Sequence, residues 1–249
     1  MTNDFWEMVK LIANARHYLK TNERLPIFVL DKAREMNIEI IQSKNCEINL
    51  VMSEVSDWMD FLKENRSKTI CFEAENSYQV DYLYHGRPNP DCKIVLQFDW
   101  NAVAKWGQYP DANKTYYKVD SYRLGQNFYP YQTNNIFELK TIVQQNCSIA
   151  KKNDWESFTI IFDKILKALQ SRERIKEQRR FIALPSTYHE DAEFYLAILQ
   201  YLSQVFGGMG NWDDGGVPTE LTDELYKQFI QGVLYCVNAG DEPGFSLRG

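Results

Sequence analysis

The chain has 249 residues, an apolar fraction of 44%, a charged fraction of 25% and a net charge of −6. That length holds one large domain or two small ones, with a core that needs no metal or disulfide. No run approaches the roughly 18 apolar residues of a membrane span.

Within the first twenty residues, Asp4 and Glu7 precede Arg16 and His17, the reverse of a secretory signal, so a cytoplasmic protein is expected. Cys46, Cys71, Cys92, Cys147 and Cys236 are odd in number and form no CxxC pair. Buried reduced thiols are therefore expected, with no disulfide framework and no zinc site.

Taken in chain order, Asp4 to Lys20 places Phe5, Met8, Val9, Ile12 and Leu19 near helical spacing and predicts an amphipathic helix. Residues 25–37 predict a second helix, with Pro26 in a first turn where its missing N–H costs little. The β-branched runs at 38–42 and 46–52 predict strands. Residues 53–65 predict a helix capped by Ser53, with Val55, Trp58, Met59 and Leu62 on one side. Strands are predicted at 68–75 and 92–100, separated by a Gly/Pro-rich loop. Asp99 and Gly107 bracket a short predicted helix, and 114–125 alternates as a further strand.

After a polar-aromatic connector at 126–135 the pattern turns helical. Helices are predicted at 135–152 and 153–180, the latter opened by Asn153 and Glu156 at capping-box spacing. Trp155, Phe158, Phe162, Ile165, Leu166 and Leu169 form its apolar stripe. A helix at 189–206 carries Phe194, Ile198, Tyr201, Leu202 and Val205 inward. A last helix at 219–240 is capped by Thr222, ended by Gly240 and lined by Leu225, Phe229, Val233 and Val237. These patterns predict a mixed α+β fold: an α/β N-terminal half with a short sheet, and an all-helical C-terminal half. The seam divides 1–135 from 136–249, as two regions or as one continuous domain.

Charge is uneven. From Ser186 onward ten carboxylates oppose only Lys227 and Arg248, a net −8 that leaves +2 for the rest. Such a segment repels nucleic acid and anionic membrane and attracts a basic protein; a solvated helix face is the plain alternative. The run "SRERIKEQRR" at 171–180 is +3, which fits either phosphate neutralisation or an exposed helix end.

Candidate chemistry is sparse. His17, His85 and His189 stand at no metal-ligand spacing from one another or from a cysteine, so no metal and no cofactor is expected. Tyr84-His85-Gly86 resembles the strand-end motif of ADP-ribosyltransferases. That resemblance implies a dinucleotide site near His85, with Tyr116, Tyr117 and Glu138 as further members; a Gly/Pro turn is the simpler reading.

Five of the twelve glycines fall in "FGGMGNWDDGG", residues 206–216. The loop follows a helix and lacks a lysine, unlike phosphate loops, and Asp213 and Asp214 lack the spacing of a calcium loop. Gly207, Gly208 and Gly210 are expected as structural turn residues. Trp212 and Met209 are expected to tuck back onto the helices. "VFGGMGNWDD", set between an amphipathic helix and "LYKQFIQGVLYCVNA", resembles the FGGMGSWND-type motif of small bacterial proteins treated as immunity proteins of polymorphic toxins. The match covers about residues 202–237, with Asn211 and Asp213 departing from the usual serine and asparagine.

The resemblance implies a cytoplasmic bacterial immunity-type protein that neutralises a cognate, basic toxin by binding, without catalysis. The partner-binding residues expected are Trp212, Asp213, Asp214, Glu190 and Asp191, with neither nucleic acid nor membrane as a partner. The competing readings are an ADP-ribosyltransferase-like enzyme around His85 and a non-catalytic regulatory or scaffold protein.

Overall fold

The computed structural model describes residues 3–25, 36–42, 46–52, 55–64, 67–74, 92–98, 103–111, 114–122, 136–175, 182–206, 212 and 217–247. Its helices are α1 (Asn3–Thr21), α2 (Val55–Glu64), α3 (Ile136–Lys152), α4 (Glu156–Ser171), α5 (Glu190–Leu202) and α6 (Thr219–Ala239). A short 3-10 turn, Ser203–Val205, extends α5.

The core is built by these helices. α3 packs on α4, α4 on α5, α5 on α6 and α6 on α3, and α1 lies against both α6 and α2. α6 shows why. Leu225, Phe229, Val233 and Val237 recur at helical spacing and all are fully buried, as are Tyr226, Ile230 and Cys236 beside them. Burying each large apolar side chain contributes about 1.5–3 kcal/mol, opposed by the entropy of ordering the chain. Phe206 closes the α5 end of this layer, with ring centroids 5.3 Å from Tyr226 and 5.4 Å from Phe229.

α1 is more deeply enclosed than an amphipathic stripe implies. Besides Phe5, Val9 and Ile12, it buries Leu11, Ala13, Ala15, Arg16 and His17. The cause is contact on several sides, from α2, α6 and the segment at 67–74.

The expected mixed fold, with an α/β first half and a short sheet, is corrected by this packing. The core of the described residues is predominantly helical, and an α/β half built on a short sheet is not supported. The first half gives its helices to a helical core: Met59 and Leu62 of α2 join the same apolar cluster as α1 and α6. The remaining regular segments are backbone ladders at β1 (Met36–Gln42), β2 (Cys46–Met52), β3 (Ser67–Ala74), β4 (Cys92–Phe98), β5 (Val103–Asp111) and β6 (Lys114–Tyr122). All pair antiparallel, β1 with β2 and β3 to β6 in sequential order. An α/β unit requires parallel strands joined by helical crossovers, and these ladders contain none.

Several local expectations shift. The short helix expected between Asp99 and Gly107 is replaced from Val103 onward by β5, paired with β4 and β6. Residues 26–35 of the second expected helix lie outside the described residues, and 36–37 belong to β1. α4 ends at Ser171 instead of running to 180, because Arg172 adopts a left-handed conformation (φ 55°) and its N–H donates to the Ala168 carbonyl. The polar run beyond has no apolar face whose burial would extend the helix.

The capping box does not form. The N-cap of α4 is Trp155, with no side-chain bond. The Asn153 amide instead donates to the Ile149 carbonyl, finishing α3 (2.9 Å). Thr222 is likewise no cap: α6 begins at Thr219 with Pro218 as N-cap, and Thr222 is buried within it.

Candidate functional site

Trp212 is 1% exposed. Its indole meets the rings of Trp155, Phe158 and Phe162 edge-on, at centroid distances of 5.5, 5.0 and 4.9 Å. This T-shaped geometry places positive ring edges on negative faces. Nε1 donates to Asn146 Oδ1 at 2.7 Å, and the Asn146 amide donates to the Ile142 carbonyl at 2.8 Å. Both polar groups are thereby satisfied inside the core. The expectation that Trp212 tucks back onto the helices describes this geometry. The expectation that it is a partner-facing anchor is corrected, because the aromatic stripe of α4 has already captured the indole.

The flanking residues Gly207, Gly208, Met209, Gly210, Asp213 and Asp214 lie outside the described residues, as does His85. Of the residues offered alongside His85, Tyr116 and Tyr117 fall in β6. Glu138 stands in the first turn of α3, where it accepts a hydrogen bond from Gln228 Nε2 of α6 at 3.2 Å.

The two other expected contact residues sit at the start of α5 and behave differently. His189 is the N-cap, its Nδ1 accepting from the Asp191 N–H at 3.2 Å. Glu190 is exposed and makes no ion pair among the described residues. Asp191 is half-buried and accepts a hydrogen bond from Arg172. Glu193 is held by Arg174 at 2.6 Å. Three acids in the first turn of a helix are favoured by its dipole. The cations just past the end of α4 also neutralise two of them.

The rest of the acidic segment divides in the same way. Glu220 and Asp223, in the opening turns of α6, are exposed and unpaired among the described residues, whereas Glu224 accepts from Gln228 (2.8 Å) and meets Lys227 (3.4 Å). Asp241 is withdrawn from solvent: its carboxylate takes Arg16 Nη2 at 2.6 Å, Arg16 Nε at 3.0 Å and Lys20 Nζ at 2.8 Å. Glu242 takes Arg16 Nη2 at 2.6 Å as well. Arg16 Nη1 donates to the Ile70 carbonyl at 2.8 Å. In the sequence Arg16 stands out only as a late basic residue of the first segment. The missed signal is its position, four residues beyond Ile12 on the apolar side of α1.

Three buried titratable groups are held in their neutral forms. Burial, and then Asp241, raise the Tyr188 phenol, whose hydroxyl donates to the Val237 carbonyl at 2.7 Å. Burial pushes the Cys236 thiol up, and burial followed by Asp163 pushes up the Cys147 thiol. Nucleophilic work needs a lowered thiol, so neither cysteine is poised for it. Among the described residues no three His, Cys, Asp or Glu side chains gather where a metal ion would be held, and no helix is long and apolar enough to cross a membrane.

No family model matches the chain, and neither the curated proteins nor the solved structures give a match.

Proposed function

We propose that this is a bacterial, cytoplasmic immunity-type protein that binds and neutralises a basic toxin. The observation that carries the reading is the presence of the exposed carboxylates Glu190, Glu220 and Asp223, unpaired among the described residues, on the opening turns of α5 and α6, within the segment of net charge −8. The other acids of α5 are neutralised by Arg172 and Arg174, so these three mark where the negative field reaches solvent. Exposed negative charge on well-packed helices, from Glu190 beside the Gly240 end of α6 and from Glu220 and Asp223 at its opposite end, steers a basic partner into encounter without reorganising. The resemblance at 202–237 supplies the particular form, toxin neutralisation by occlusion. Asp213 and Asp214 belong to the same acidic segment and are proposed as further contacts.

Co-expression with the product of the adjacent gene, then titration of the purified pair, tests this. A complex is expected whose association slows roughly tenfold on raising salt from about 50 to 300 mM, in line with steered encounter. The variant Glu220→Lys/Asp223→Lys is expected to associate several-fold more slowly, and Asp213→Lys/Asp214→Lys likewise. Failure of the two products to associate, or wild-type association rates in both variants, would remove the reading.

A further inference from the structure

His17 lies inside the molecule, 1% exposed, yet only one of its ring nitrogens is bonded. Nδ1 stands 3.2 Å from Thr187 Oγ1, on the segment that leads into α5. Nε2 is buried and has no hydrogen-bond partner. Facing it at 3.7 Å, beyond hydrogen-bond reach, is Glu23 Oε2. The turn after α1 puts Glu23 there. Asn22 takes a left-handed conformation (φ 63°), and its N–H donates to the Tyr18 carbonyl at 2.8 Å. Thr21 Oγ1 donates to the His17 carbonyl at 2.9 Å and accepts from the Glu23 N–H at 3.0 Å. α2 fixes this turn from outside, through Asp60 on Arg24 and Lys63 on Asn22. The neighbouring charges are matched elsewhere: Arg16 and Lys20 by Asp241 and Glu242, and Arg24 by Asp60. Tyr188, next to Thr187, is held neutral by its burial. Among the described residues the Glu23 carboxylate meets no cation other than His17.

We propose that His17 and Glu23 form a proton-operated clasp, which closes the turn at 22–24 onto the end of α1 in mild acid. A neutral imidazole has one N–H to offer two oxygens. If Nδ1 gives it to Thr187, Nε2 turns a bare lone pair toward a carboxylate. If Nε2 carries it, the hydrogen bond to Glu23 falls short. The charged ring has two N–H groups, one for each oxygen. The Glu23 side chain is 68% exposed and moves only about an ångström to reach the ~2.8 Å of a charge-assisted bond. Burial opposes a charged ring; two oxygens free to accept, one of them ionised, favour it. Histidine gains its charge just below neutrality. The clasp is therefore closed between the ordinary titrations of glutamate and histidine, about pH 4.3 and 6.5, and opens as pH rises through that of the ring. The turn is held by α2 and Thr187 leads into α5, so one proton sets how firmly α1, α2 and the approach to α5 are joined.

Nitrogen NMR of the histidine rings and amide hydrogen exchange test this on the full chain, at about pH 5.5 and about pH 8. In acid, both ring nitrogens of His17 are expected to carry protons. The amides of Asn22 and Glu23 are expected to exchange about fivefold more slowly there than at the higher pH, once intrinsic rates are divided out. Glu23→Gln changes an exposed side chain, so the variant is expected to fold. It should abolish the slowing and lower the urea midpoint in acid only. His189→Asn, which removes the other described histidine, should leave the slowing intact. A His17 ring that stays neutral in acid, or the same pH dependence of the two amides in Glu23→Gln as in wild type, would overturn the proposal.

Discussion

Arg16 and Asp241, 225 positions apart, form a buried ion pair that ties the last turns of α1 to the chain just past α6. The guanidinium reaches the carboxylate through two nitrogens, and the Ile70 carbonyl and Glu242 take further donors. Breaking one side of such a pair strands a buried charge. Arg16→Ala or Asp241→Ala is expected to cost about 3–5 kcal/mol in denaturant unfolding. Arg16→Met/Asp241→Leu, which removes both charges, is expected to cost clearly less than the sum. Additive losses in the double variant would show that packing, and not the pair, carries the effect.

The Trp212 cage gives a graded test. Trp212→Phe keeps much of the ring contact but leaves Asn146 Oδ1 without its donor, an expected loss of about 1–3 kcal/mol. Trp212→Ala also empties the space between Trp155, Phe158 and Phe162, with about 3–5 kcal/mol expected. Equal midpoints for wild type and Trp212→Ala would contradict the burial described.

Gly240 is constrained by space. It ends α6 as expected, with a φ of −63° that is ordinary helical backbone. A Cβ there would meet the Cys236 carbonyl, Ala192 Cβ at 2.6 Å and Tyr188 Cδ1 at 2.9 Å. Gly240→Ala is therefore expected to destabilise by roughly 1–3 kcal/mol through overpacking where α5 and α6 approach. A neutral or stabilising result would mean that the helices part at little cost.

Thiol chemistry follows from burial. Cys147 and Cys236 are buried, with thiols raised above their ordinary values. Native protein treated with a disulfide reagent at pH 8 is expected to label at the same rate in wild type and in Cys147→Ser/Cys236→Ser. A slower reaction in the variant would place one of the two thiols within reach of solvent.

The Lys151–Asp163 pair predicts a pH window. Lys151 donates to Asp163 at 2.8 Å, and this hydrogen bond holds the carboxyl below its ordinary value of 3.8. The stabilisation is present above that value and is lost as pH falls through the lower, folded-state value. Both side chains are about half exposed, so the effect is small. The stability difference between wild type and Asp163→Asn, measured by urea unfolding, is expected to shrink steadily below pH 4. A difference that persists unchanged to pH 2 would assign the interaction to something other than the carboxylate charge.

What the sequence made legible follows from periodicity. Phe194, Ile198, Tyr201, Leu202 and Val205, with Leu225, Phe229, Val233 and Val237, repeat at the helical interval, and all nine are buried. The β-branched runs do fall on β1, β2, β3, β4 and β6, but the α/β half expected around them is corrected, because α1 packs on α6, two hundred residues away. That is tertiary information no local window contains. Arg16 was missed for a related reason: a charge on an apolar face is explained only by its partner, and Asp241 lies at the far end of the chain. Of the expected contact residues, Trp212 reads correctly as aromatic ballast from the stripe Trp155, Phe158 and Phe162. Asp191 was indistinguishable from Glu190 because nothing local shows that Arg172 turns back toward it.

The Trp212 plug also sets a leash. Between Phe206 and Val217 the chain is pinned at one interior point, so what reads as a single ten-residue connection is two spans of five and four residues. Although the stretch joins α5 to α6 in sequence, its anchor Trp212 is held by the other helix pair, α3 and α4, so one side chain ties the connection to all four helices.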